Sequence, residues 1–217
     1  AAPVYANTGD VVYYNHTISN DGNTEMGFTV TLERGNPSWA AQMSYLDQTS
    51  SSNLNLNLQA GQSADVQLML LVPETAREGN SNTYTLRVEH SAQSFTLDTT
   101  SLVVSDNLDV QLEQTDEGIV SAVVGENFTF VELNVLNTGN ADLDLEWSYG
   151  LAPDGWTVNY ANPPSFVGVL SQANVVVAIL PPNQTDAGTG FDLPLYVNAS
   201  NNGRFVTSQL ILRVEVP

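Results

Sequence analysis

The chain has no cysteine, no lysine and only two histidines in 217 residues. Without cysteine there is no disulfide, no thiolate nucleophile and no cysteine-held metal. Secreted eukaryotic domains of this size often carry disulfides, so their absence points towards a prokaryotic surface protein. His16 and His90 lie 74 residues apart and give no metal-ligand spacing. No Gly-x-Ser-x-Gly, His-Glu-x-x-His or phosphate-loop motif is present. No apolar run approaches the ~18 residues that a membrane helix needs, so this stretch does not span a bilayer as a helix. Basic charge is scarce: five arginines stand against 24 acids, a net charge of −19. That balance argues against nucleic acid, whose phosphates need a basic surface, and disfavours anionic membranes. It suits solubility at high salt or cation binding, and its plainest meaning is a soluble, non-sticky surface. The absence of lysine together with the acidity also resembles proteins of marine or halophilic archaea.

What is present is a repeat. Gly9-Asp10 opens an alternating run that ends in Ser19-Asn20-Asp21-Gly22-Asn23, and Gly125-Glu126 opens one that ends in Leu136-Asn137-Thr138-Gly139-Asn140. Each is followed by an alternating strand, a proline-containing turn and a tryptophan, Pro37-Ser38-Trp39 and Pro153-Asp154-Gly155-Trp156. Gly22 to Gly139 and Trp39 to Trp156 both span 117 residues. A constant offset across two landmarks is a tandem repeat, and one of this size is a whole domain. The division expected is 1–105 and 106–217, each long enough for its own core.

Helix signals are nearly missing, and strand signals recur every ~8 to 12 residues between turn residues, the pattern of an all-β sandwich. About seven strands per half predict two tandem immunoglobulin-like Greek-key β-sandwiches. Met26, Phe28, Val30 and Leu32 alternate with polar residues, and shifted by 117 they become Leu143, Leu145, Trp147 and Tyr149; period-2 alternation turns both sets inward. Asn53 to Leu58 reads Asn-Leu-Asn-Leu-Asn-Leu, a half-buried strand with an outward asparagine ladder. Only Ser105-Asp106-Asn107 separate the last strand of one half from the first of the next. This is too short and polar for a flexible linker, so the halves are expected end to end, each strand spanning about 30 Å. Ala1-Ala2-Pro3 fits a mature start or a trimmed one, and the last residues fall right at a strand, which leaves room for the natural chain to continue.

These residues carry a family resemblance. The scheme is Gly-[Asp/Glu], an alternating strand, Asn-x-Gly-Asn, then Ala152-Pro-Asp-Gly-Trp-Thr-Val158, a strand ending in Pro-Pro, the acidic turn Asp186-Ala187-Gly188 and two last strands. It is similar to the CARDB and NPCBM-associated immunoglobulin-like domains of bacterial and archaeal secreted proteins. The first half repeats it with Leu71–Gly79 and departs from it in placing Ser38 before Trp39. The resemblance implies spacers, adhesive stalks or accessories beside enzymes, with no catalytic set to carry over.

Several residues are candidates for chemistry. Calcium takes hard oxygen ligands from loop carboxylates. Around the join lie Asp106 and Asp109, with Glu74 and Glu78 in a loop of the first half and Asn137, Asn140 and Asp142 in a loop of the second; together they could hold a Ca2+ ion, or they are solvated turn acids and Asx turns. Of four Asn-x-Ser/Thr sequons, Asn15 and Asn127 fall on strands, while Asn183 and Asn198 are at or near expected loops and are the better glycan carriers. Trp39 and Trp156, at equivalent places, anchor a turn; if exposed instead, they would stack on sugars. A glycosidase-type carboxylate pair is available in principle among so many acids, but small paired sandwiches seldom hold a deep cleft, so no catalytic residue is nominated. The chain therefore reads as a non-enzymatic, extracellular or cell-surface stalk, spacer or assembly subunit whose partners are other protein subunits. A carbohydrate- or protein-binding accessory module is the alternative. In a filament variant of the first reading an exposed edge accepts a neighbour's strand. Pro3–Asn7 is then the donor candidate, or simply a short first strand of its own domain, because the first half shows no full counterpart of Leu108–Glu113.

Overall fold

The computed structural model describes residues 3–91, 94–116, 118–125 and 127–217. Every regular element among them is a β-strand. Tertiary contacts divide the chain into two units, Ala1–Asp106 and Asn107–Pro217.

The first unit runs β1 (Val4–Ala6), β2 (Val11–Ser19), β3 (Met26–Arg34), β4 (Ala41–Tyr45), β5 (Gln48–Ser50), β6 (Asn53–Leu58), β7 (Ser63–Leu71), β8 (Ser81–Ser91) and β9 (Ser94–Val104). One sheet has the order β1-β9-β8-β3-β6 and the other β2-β7-β4-β5. The chain crosses between the sheets after β3, returns for β6, crosses to β7 and crosses back to β8. This is the over-and-back path of an immunoglobulin-like sandwich. Val4–Ala6 pairs in parallel with Leu102–Val104 of its own unit, and Ala6 is buried. The N-terminal piece is thus a short first strand of its own sandwich here, and the donor role envisaged for it is not what it performs in this structure.

The second unit runs β10 (Val110–Gln114), β11 (Val120–Ser121), β12 (Thr129–Asn137), β13 (Leu143–Tyr149), β14 (Thr157–Ala161), β15 (Phe166–Val167), β16 (Gln172–Leu180), β17 (Gly190–Asn201) and β18 (Arg204–Glu215). Its sheets are β10-β12-β16-β14 and β11-β18-β17-β13-β15. Asn202 and Gly203, at φ 48° and 79°, join β17 to β18; two left-handed residues in a two-residue loop make the tight turn whose twist matches the strands.

Alternation builds both cores. β6 is the plainest case: Leu54, Leu56 and Leu58 are at most 4% exposed and the three asparagines face out. Each leucine so buried contributes about 1.5–3 kcal/mol. The β3 and β13 faces behave as a period of two dictates, but with opposite gradients. Val30 and Leu32 are buried while Met26 and Phe28 are half-buried; Leu143 and Leu145 are buried while Tyr149 is 43% exposed. The two units also differ in one strand. In the second unit β10 pairs antiparallel with β12 and lies against β17 and β18. In the first unit β2, which corresponds to β12, is the outermost strand of its sheet.

Candidate functional site

The most distinctive residues of the repeat are spent on scaffolding. Asn20 is 1% exposed; its amide donates to the carbonyls of Thr24 and Leu58, each at 2.8 Å, and its Oδ1 accepts from Gly22 N–H at 3.0 Å. Asn137 does the same work in the second unit, donating to Ala141 at 2.8 Å and Val167 at 3.4 Å and accepting from Gly139 N–H at 3.0 Å. Each asparagine ties a strand end to the next turn and to a strand opposite. Gly79 and Gly188, both at positive φ, donate their N–H to the last strands, at Val104 O and Val216 O.

The tryptophans are also structural. Trp39 and Trp156 close equivalent turns, their N–H donating to Asn36 O and Pro153 O. Trp39 is 5% exposed, which removes it as a sugar-stacking platform: no face of the ring is open to a ligand. Trp156 is half-buried and meets Phe191 edge-on, with ring centroids 4.8 Å apart. Trp147 packs on the core and donates its indole N–H to Pro164 O at 2.7 Å.

Tyr160 completes this aromatic group, 5.3 Å from Trp147 and 6.1 Å from Tyr149, and donates its hydroxyl to Ser148 O at 2.8 Å. Burial pushes its phenol up to about 12. The unfolded chain ionises from about pH 10, before the folded one does, so this contribution to stability is whole below pH 10 and is lost as pH rises to about 12. Denaturant unfolding across that window is expected to show Tyr160→Phe losing less stability than the parent chain.

Three of the residues nominated for calcium make bonds within the second unit. Asp109 Oδ2 accepts from the Thr138 hydroxyl at 2.5 Å. Asn140, 4% exposed, accepts Asn107 N–H on its Oδ1 at 2.7 Å, and its own N–H donates to Asn107 O. Asp142 Oδ1 accepts Val169 N–H at 2.9 Å. These bonds fasten the segment before β10 and the loop before β13 within the second unit. Glu74 and Glu78 lie in the turn between β7 and β8, and Asp106 follows β9. Among the described residues no three acidic or histidine side chains gather as a metal ion requires. Of the sequons, Asn183 is exposed on a turn. Asn198 corrects the expectation of a near-loop site: it lies inside β17, between β13 and β18, half-buried and accepting the Thr207 hydroxyl at 2.8 Å.

The feature that sequence reading missed is a groove of about 330 Å³ on the first sandwich. It lies between β2 of one sheet and β3, β8 and β9 of the other. Ile18, Phe28, Leu86, Val88 and Phe95 give it apolar walls, and His16, His90, Asp98 and Thr96 give it polar ones. Both histidines of the chain therefore come to one place. His16 Nδ1 meets Asp98 Oδ2 at 2.7 Å across the groove; its Nε2 is buried with no hydrogen-bond partner among the described residues. His90 Nδ1 meets Gly27 O at 3.2 Å. Among the described residues no hydroxyl bonds the free ring nitrogen, as a nucleophile for acyl transfer would. Of the groove's hydroxyls, that of Thr17 donates to Asp65 and that of Ser19 meets Ser63. The signal that could have found the site is the repeat itself: 117 residues on from His16 stands Leu133, fully buried. A histidine where the twin domain keeps a core leucine marks a place that is not closed.

No protein-family model matches the chain, and no curated protein is similar to it. Solved structures share its strand architecture loosely. The C-terminal domain of the Streptococcus agalactiae AgI/II polypeptide BspA is 8% identical with TM-score 0.34, covering 99% of this chain and 95% of that one. Protocadherin gammaB7 EC3-6 is 10% identical with TM-score 0.44, covering 82% and 40%. The YadV chaperone is 12% identical with TM-score 0.28, covering 92% of each chain. Likeness at this level assigns neither partner nor activity.

Proposed function

We propose that the chain is a non-enzymatic module of the cell exterior, two tandem immunoglobulin-like sandwiches that serve as a stalk, spacer or subunit of a larger surface assembly, of the kind the CARDB and NPCBM-associated domains represent. The observation that supports this reading is where the repeat's characteristic side chains go. Asn20, Asn137 and Trp39 are consumed in holding turns and the core, and Trp156 packs on the core and on Phe191. The repeat preserves a scaffold, and the acidic exterior keeps that scaffold soluble and apart from nucleic acid. Its partners are other protein subunits.

An antibody raised against the purified chain is expected to label intact source cells, and labelling that appears only after lysis would overturn the extracellular placement. Retention of a glycan on an array, lost on Trp156→Ala, would move the chain to the carbohydrate-binding class instead.

A further inference from the structure

We propose that the first sandwich is an acceptor for a β-strand supplied by a different protein, which pairs antiparallel with β2 and lays its apolar side chains in the groove beside His16. This names a partner for the assembly-subunit reading and rests on it.

The second unit displays the occupied form of the same site. There β10 pairs antiparallel with β12, Leu112 opposite Val135 and Val110 opposite Asn137. Val110 and Leu112 are buried, and Leu112 N–H donates across to Ser208 Oγ on β18 at 3.1 Å. The equivalent positions follow from shared bonds. Val104 O and Val216 O each accept from the positive-φ glycine of the preceding turn. Counting back from them, Thr96 stands for Ser208 and Asp98 for Leu210. Subtracting 117 along β12, His16 stands for Leu133, Ile18 for Val135 and Asn20 for Asn137. Val131, Leu133 and Val135 are at most 7% exposed, whereas Tyr14 and His16 are half-buried on a β2 that no strand pairs with on its outer side.

The edge itself is ready for pairing. Asp10 O accepts Val72 N–H and Asn20 N–H donates to Gln62 O, so even-numbered residues of β2 bond to β7. By alternation, the N–H and C=O groups of Val11, Tyr13, Asn15, Thr17 and Ser19 point away from β7. Proteins blunt such edges with charge, proline or bulges. β2, Val-Val-Tyr-Tyr-Asn-His-Thr-Ile-Ser, has no Asp, Glu, Lys, Arg or Pro, and its pairing with β7 runs unbroken for all nine residues.

The occupant's chemistry can be read from β10 and from the groove. It carries apolar residues opposite Asn20 and Ile18 and, two residues on, a polar side chain opposite His16, whose Nδ1 is engaged by Asp98 and whose Nε2 is unpartnered. Asp21, Asp65 and Asp98 around the edge, with the net charge of −19, select neutral or basic residues on the strand's outer face. The same charge sets copies of this chain against one another, which favours a different protein as donor over a second copy.

The probe is a synthetic peptide with the sequence of residues 108–116 carrying Glu113→Lys, added to the full chain and followed by fluorescence anisotropy and amide hydrogen exchange. Saturable binding is expected, with slowed exchange at Asn15, Thr17 and Ser19. Thr17→Pro removes an N–H that serves no strand within the molecule, and should weaken binding by roughly tenfold or more. Unchanged exchange at those three amides would overturn the proposal, as would peptide affinity indifferent to Thr17→Pro. If the variant fails to fold, the exchange result on the parent chain decides alone. Protection of the same amides that rises with protein concentration, without peptide and with a doubled mass by light scattering, would overturn the choice of a foreign donor in favour of a second copy.

Discussion

Asn137→Ala is expected to lower the stability of the second sandwich by about 2–4 kcal/mol, seen as a melting temperature roughly 10 °C lower and as faster amide exchange in β12, β13 and β16. The amide of Asn137 serves three main-chain groups at once: the carbonyls of Ala141 and Val167 and the N–H of Gly139. Alanine leaves them in a site that is 2% exposed, where water cannot replace the lost partners. Each unsatisfied buried group costs about 1–3 kcal/mol, part of it recovered by relaxation of the loop. Asn137→Asp tests whether shape or donors matter. It keeps an acceptor for Gly139 but turns a carboxylate on two carbonyls, so it should be no better than alanine. Asn134→Ala, on the outward face of β12, should change stability by less than about 0.5 kcal/mol. Equal melting of the parent chain and Asn137→Ala would show that the latch is dispensable.

Gly139→Ala should be nearly as damaging, and its twin Gly22→Ala should not. A β-carbon at 139 would stand 2.3 Å from Asn107 O and 2.8 Å from Asp109 N, both main-chain atoms of the segment leading into β10. That segment is fastened by Asn140 and Thr138 and has nowhere to retreat. Forcing it outward should cost about 3 kcal/mol and loosen β10 first. At 22 the same β-carbon meets the methyl end of Met26 at 2.8 Å and Asn20 Oδ1 at 3.0 Å. A methionine tip can turn aside, so the expected loss is under about 1 kcal/mol. Comparable losses at the two glycines would mean that the first sandwich has a strand over this position, as the second does.

The contrast also shows how much could be read before any coordinates. The offset of 117 placed Asn20 beside Asn137 and Gly22 beside Gly139, and alternation placed Leu54, Leu56 and Leu58 inside; these rest on local periodicity, which sequence displays directly. What escaped was whatever depends on which strand lies beside which. His16 and His90 share a groove because β2 faces β8 across the sandwich, a relation with no trace in their spacing. Asn198 looked close to a loop because Asn201-Asn202-Gly203 follows it, yet β17 runs on to Asn201 before turning. The residues around 106 to 142 read as a cation site or as turn acids, since a sequence cannot tell an Asx turn from a ligand; Asp109, Asn140 and Asp142 bond the chain's own N–H and O–H groups. The missing counterpart of β10 was visible as a gap in the repeat, but its meaning required the filled site in the twin for comparison.

The short strands that pair in parallel with the last strand of each sandwich have a mechanical meaning. β1 runs parallel to β9, with Val4, Tyr5 and Ala6 against Leu102, Val103 and Val104, and β11 runs parallel to β18, with Val120 and Ser121 against Val214 and Glu215. Within each unit these are an early strand and the last one. Tension drawing the start of β1 away from the end of β9 acts along both strands in opposite senses. The bonds between them are then sheared together rather than opened one after another, as they would be in an antiparallel hairpin pulled from its free ends. One of the shortest strands of the first sandwich is therefore its clasp against stretching: the three residues of β1 stand between a pulling force and the core.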